Sequence, residues 1–109
     1  MPKYLIEASY TAEGLKGLQK DKASGRKAAI AKAAEALGGK LEAYYFALGK
    51  YDVVVILDLP DTVSATALAL AASGSGLVRT RTTVLLTVEE TDKALKTKVA
   101  YRGPGKQVK

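Results

Sequence analysis

Glu7, Tyr51, Asp52, Arg79 and Arg81 carry most of the chemistry that this chain can offer, because it contains neither cysteine nor histidine. That absence removes disulfides, thiol nucleophiles, imidazole bases and nearly all zinc, copper and haem ligation. The 11 acidic residues are scattered and no Asp-rich loop gathers them, so neither a metal nor a cofactor is expected. Glu7 and Ser9 share a parity in YLIEASY (Tyr4 to Tyr10), as Arg79, Arg81 and Thr83 do in LVRTRTTVLLTV (Leu77 to Val88). If both segments are neighbouring strands, acid and guanidinium groups meet on the side away from the helices. A cleft between two sheets would then hold Glu7, Arg79 and Arg81 with tyrosine hydroxyls nearby, a receptor for a small anionic or aromatic molecule. A salt bridge within or across an interface is the commoner use of such groups. Asp52 beside Tyr51 has the form of a general acid/base pair, although an Asp next to a tight turn more often accepts from local backbone N–H groups. Tyr44, Tyr45, Phe46 and Tyr51 could stack on a flat ligand, but aromatic residues on strands usually pack. Ser73-Gly74-Ser75-Gly76 precedes a strand instead of opening a helix, which makes it a turn and not a phosphate loop.

These residues are positioned by a short list of elements. Tyr4 to Tyr10 reads as the first strand, and Thr11 is placed to cap a helix through Leu15 and Leu18. Gly14, Gly17 and the polar stretch Lys20 to Gly25 predict that this helix is short or broken. Ser24 can cap a second segment, in which Ile30, Ala33, Ala34 and Leu37 recur at helical spacing before Gly38-Gly39 stops it. Lys40 to Pro60 reads as a hairpin about Gly49-Lys50, with glycine first as a type II′ turn requires. The register that follows sets Leu48 against Tyr51, Phe46 against Val53, Tyr44 against Val55 and Glu42 against Leu57, with Tyr45–Val54 and Ala43–Ile56 on the other face. Asp61 caps the next helix, whose apolar face is marked by Val63, Ala67 and Leu70 and whose many alanines let it lie close on a sheet. Leu77 to Val88 is the last strand. Thr87 with Glu90 matches a capping box, so a short terminal helix is expected to about Lys98.

The order β-α-β-β-α-β is the ferredoxin-like arrangement of an α+β protein, two helices on one face of a four-stranded antiparallel sheet. The hairpin is apolar on both faces, and two helices cover only one. The remaining face is expected to form a homo-oligomer, a dimer or higher, by packing sheet on sheet. Residues 1–98 are expected to form the single domain and 99–109 a basic tail. Six of the 17 basic residues, Lys93, Lys96, Lys98, Arg102, Lys106 and Lys109, lie in a closing segment without an acid, and the eleven that remain equal the acidic residues. The folded body is therefore formally neutral, and its central strand Val53 to Leu57 is aliphatic where an RNA-binding sheet would show aromatics, so nucleic acid is not the expected partner. The longest apolar runs, Val53 to Leu57 and Ala67 to Ala72, are far too short to cross a membrane, and the N-terminus has no signal-peptide pattern, which together predict a cytoplasmic protein.

At Gly49, Tyr51 and Asp52 the chain resembles the GYD-domain family of small bacterial proteins, here with Lys50 interposed. Tyr10-Thr11, Gly38-Gly39, Leu59-Pro60-Asp61 and Val78-Arg79-Thr80-Arg81-Thr82 also resemble the family pattern, over about Pro2 to Val88. That family is similar to dimeric α/β-barrel proteins, which include cofactor-free monooxygenases, isomerases, haem enzymes and ligand-sensing domains. Its own activity is not established, so the resemblance implies the dimeric barrel type of the ferredoxin-like fold and no reaction. Three functions fit these observations: an oligomeric domain binding a small organic molecule between sheets, a cofactor-independent oxygenase or isomerase, and nucleic-acid binding through the basic tail.

Overall fold

Thr11 turns the chain from its first strand into its first helix and fastens both to the residue that precedes the last strand. Its extended backbone lets Oγ1 accept from the Gly14 amide at 3.1 Å, while its own amide donates to the Leu77 carbonyl at 2.9 Å. In a computed structural model describing residues 1–106, the chain runs β1 (Lys3–Tyr10), α1 (Ala12–Ala36), β2 (Lys40–Phe46), β3 (Val53–Asp58), α2 (Thr62–Gly74), β4 (Val78–Leu85) and α3 (Val88–Lys96). The four strands form one antiparallel sheet in the order β2-β3-β1-β4. The expected β-α-β-β-α-β order is thus present, extended by the capping-box helix α3. The end of the basic tail, residues 107–109, lies outside the described residues.

Period-two alternation decides which face meets the helices. Tyr4, Ile6 and Ala8 of β1 and Val53, Val55 and Leu57 of β3 are buried under α1 and α2, with Ala34, Leu59 and Ala65 completing the core. Burying a large apolar side chain such as Leu57 or Leu59 is worth about 1.5–3 kcal/mol, so these positions dominate the stability of the sheet. The alternate residues Leu5, Val54 and Ile56 are half-buried on the other face with no helix over them. Beside them Tyr45 of β2 is 69% exposed.

α1 is broken, as its glycines and polar middle predict, but the break falls at Lys22, ahead of Ser24. Lys22 has φ 66° and ψ 168°, a conformation in which a Cβ is strained. Gly38 ends the helix with φ 86°, and Gly39 packs so closely on the Asp58 carbonyl that a Cβ would collide with it.

Three details of the sequence reading are corrected. No two-residue II′ turn forms at Gly49-Lys50: Gly49 does not have positive φ, and the strands end at Phe46 and restart at Val53. The loop between them is closed by the Ala47 amide donating to the Asp52 carbonyl at 2.8 Å, so Leu48 and Tyr51 do not extend the ladder. The register from Phe46–Val53 to Ala43–Ile56 is as expected, but an irregularity between Leu41 and Ala43 sets Leu41 opposite Leu57 in place of Glu42. Finally, α2 faces the sheet with Ala65, while Val63 and Leu70 are 77% and 69% exposed. Leu68, one turn on from Ala65, packs against the same core, so the inward side of α2 lies opposite the stripe of Val63 and Leu70.

Replacing Lys22 by glycine should raise stability by about 1 kcal/mol, since relief of ~1–3 kcal/mol of backbone strain outweighs the added freedom of the unfolded chain. Urea denaturation of the two proteins measures it, and a less stable Lys22→Gly protein would contradict the strained break.

Candidate functional site

The β1–β4 register brings the residues singled out in the sequence onto one surface. Glu7 lies opposite Arg81 and Ser9 opposite Arg79, on the face without helices. Both arginines are exposed and Glu7 is half-buried. Arg81 Nη1 donates to the Tyr51 hydroxyl at 2.9 Å, and the Lys50 ammonium lies 5.7 Å from the Tyr51 ring centre. The Tyr51 hydroxyl, with a smaller contribution from Glu7, holds the Arg81 guanidinium above its already high ordinary value, so it is a fixed positive charge.

Asp52 is used differently. Its Oδ2 accepts from the Tyr10 amide at 2.8 Å, and its own amide donates to the Ala8 carbonyl at 2.8 Å. The acceptor role expected for this residue is present, but toward β1 and not toward its own turn. Asp52 thus ties the β2–β3 loop to the end of β1, and through Tyr10 to the start of α1.

A second location, which the sequence did not announce, lies on the opposite side of the sheet. A cavity of about 60 Å³ sits between the sheet and the helices, floored by Ile6, Ala8, Val53 and Val55. It adjoins a groove of about 350 Å³ between α1 and α2, and the two share Tyr10, Arg26, Ile30, Leu68, Ala72 and Val78. Small residues, Gly14, Gly17, Ala29 and Ala33 from α1 with Ala71 and Ala72 from α2, make up part of its lining, beside Leu18, Ile30 and Leu68. Helices lined by glycine and alanine leave space that Leu or Phe would fill.

Few polar groups reach this apolar chamber. Burial foremost, and then the neighbouring Tyr10, push the Tyr44 phenol far above its ordinary value, with Arg26 opposing. Tyr44 is therefore a neutral hydrogen-bond donor at any physiological pH. Arg26 stands at the rim, 29% exposed and 3.7 Å from Asp21. None of Glu7, Tyr51, Asp52, Arg79 and Arg81 lines the chamber. Its own residues were detectable only through the parity that Tyr10 and Tyr44 share with the core and through the small residues of both helices.

At the other end of the sheet, Lys3 Nζ bonds Glu42 at 2.5 Å and the nearly buried Asp58 at 2.8 Å, with Lys40 3.9 Å from Asp58. Among the described residues no group of three acidic side chains converges as a metal site.

Two predictions follow from these contacts. Asp52→Ala should destabilise the protein by about 1–3 kcal/mol, because it removes the acceptor of the Tyr10 amide; Arg81→Met should shift the urea midpoint far less, and equal effects would contradict the division of roles. Hydrogen bonds to Asp58 and then Glu42 hold Lys3 above its ordinary value, so its contribution is complete below pH 10.5 and fades as pH rises through the folded-state value. The stability difference between the wild type and Lys3→Met should therefore be constant up to about pH 10.5 and shrink as pH rises further; a difference that does not shrink would show that the ion pair does not supply it.

With this geometry established, the family model described as GYD domain matches residues 4–95, from the first strand through most of α3. No curated protein and no solved structure matches the chain.

Proposed function

The chain belongs to the GYD domain family, and on that premise we propose that it is a homodimeric domain that binds a small, flat, largely apolar molecule between its helices and its sheet. The observation carrying this reading is the adjoining cavity and groove, which share six lining residues and have a neutral phenol at Tyr44 and a cation at Arg26 among their polar features. Binding sites combine a mainly hydrophobic lining with a few placed polar groups, and a volume of some hundreds of Å³ suits an aromatic acid or phenol. The ligand's acceptor oxygen would accept a hydrogen bond from the Tyr44 hydroxyl, and a carboxylate would compete with Asp21 for Arg26. No reaction is assigned. Tyr44 and Arg26 orient and polarise, and neither is a base at neutral pH.

The dimer in this reading is supported by the sheet face that the helices leave open, where Leu5, Val54 and Ile56 are flanked by Tyr45. That face offers a second reading for the ligand, between two sheets beside Glu7, Arg79 and Arg81, favoured by the bond that aims Arg81 across the face toward Tyr51.

Benzoate titration followed by methyl NMR separates the two. The first reading predicts shifts at Ile6, Ile30 and Leu68, and at least tenfold weaker binding in Ala72→Phe, whose ring fills both cavity and groove. Shifts confined to Val54 and Ile56 would overturn it in favour of the sheet face, and saturation without shifts at either place would overturn both.

A further inference from the structure

The last helix has no place on its own subunit. α3 buries none of its residues, and every residue from Val88 to Arg102 is exposed. Its side-chain hydrogen bonds are local, the Thr87–Glu90 capping box and threonine hydroxyls bonded one turn back. Yet its sequence is patterned for contact. Val88 and Leu95 fall on one face, two turns apart, and are 74% and 79% exposed, while Glu89, Glu90, Lys93 and Lys96 complement the helix dipole at its two ends. A helix of nine residues is marginal in water on its own, and most helical stability comes from packing an amphipathic face. Capping favours α3 at both ends, but its apolar stripe needs a surface.

We infer that α3 is a subunit-exchange arm, whose Val88–Leu95 face docks on a second copy of this chain. The inference rests on the dimer proposed above. Two observations select a second copy over another partner. The first is continuity: only Leu86 and Thr87 separate α3 from β4, an edge strand of the open sheet, so a copy laid on that face lies beside the root of the arm. Leu85, the last residue of β4, shares the open-face parity of Arg81, so the apolar surface of the sheet runs to within two residues of the helix. The second is area. Four strands of six to eight residues present a footprint of roughly 450 Å² at ~4.8 Å between strands and ~3.3 Å per residue. A stable complex buries about 800 Å² of accessible surface per partner, and an arm from each subunit adds its own accessible surface to that of a sheet with so small an outline. Residues beyond the helix, including Val99 at 75% and Tyr101 at 72% exposure, extend the same contact.

Sedimentation equilibrium on the full chain tests the inference, comparing the wild type with Leu95→Asp and with Lys93→Gln on the opposite face of α3. A wild-type dimer whose dissociation constant rises at least tenfold in Leu95→Asp, and not in Lys93→Gln, is the expected result. Circular dichroism showing an intact sheet in each variant excludes loss of the fold as the cause, and Leu95→Met should restore association. A dimer unchanged by Leu95→Asp would overturn the arm while leaving the sheet-to-sheet dimer intact. A wild-type monomer of 11.5 kDa at all concentrations would overturn the dimer itself, and the arm with it.

Discussion

The pairing of β3 with β1 is the contact on which the rest of this molecule depends. Both strands are central, and their ladder from Lys3–Asp58 to Ala8–Val53 aligns one row of side chains for the helices and a second row on the far side. The first row supplies most of the core. The second, with Leu5, Val54 and Ile56, is also apolar, so the ladder that makes a folded monomer possible also leaves a surface that the monomer cannot cover. Asp52 secures one end of this ladder through the Tyr10 amide, and Lys3 secures the other through Asp58. The Tyr51 and Asp52 of the family signature thus act from one loop on two strands, Asp52 on β1 and Tyr51 on Arg81 of β4.

Much of this was legible in the residues, and the parts that were not share a cause. Strand order, helix caps at Thr11, Asp61 and Thr87, and the common face of Glu7 and Arg81 follow from alternation, hydroxyl or carboxylate spacing and topology, all of which are local or combinatorial signals. The Gly49-Lys50 turn failed because Asp52 finds better partners in β1 than a tight hairpin would offer, and those partners are more than forty residues away. The face of α2 failed because two apolar stripes compete on this helix, and the core takes the one with Ala65 and Leu68, opposite that of Val63 and Leu70. Register slipped at Glu42 through a bulge, which costs little and leaves no mark in composition.

The chamber shows the same limit from another side. Small residues along α1 and α2 can bring helices together or hold them apart, and the sequence does not say which. Here they leave a groove, whose lining includes Gly14, Gly17, Ala29 and Ala33 of α1 and Ala71 and Ala72 of α2. Its polar character then follows from burial: Tyr44 is kept neutral, and Arg26 stays at the rim where water still reaches it. Those features support the proposed binding site, which would select by shape and one or two hydrogen bonds in a chain that lacks cysteine and histidine.

The claim joining these observations is that the open face of the sheet is covered in solution, and Tyr45, on the edge strand β2 of that face, reports on it. Hydroxyl-radical footprinting of the full-length protein can compare Tyr45, 69% exposed in the single chain, with Leu48, fully exposed at the loop tip. Covering the face predicts that oxidation of Tyr45, relative to its rate in the urea-unfolded chain, falls at least fivefold below that of Leu48 and recovers on dilution. Equal protection of the two residues at every concentration would contradict it.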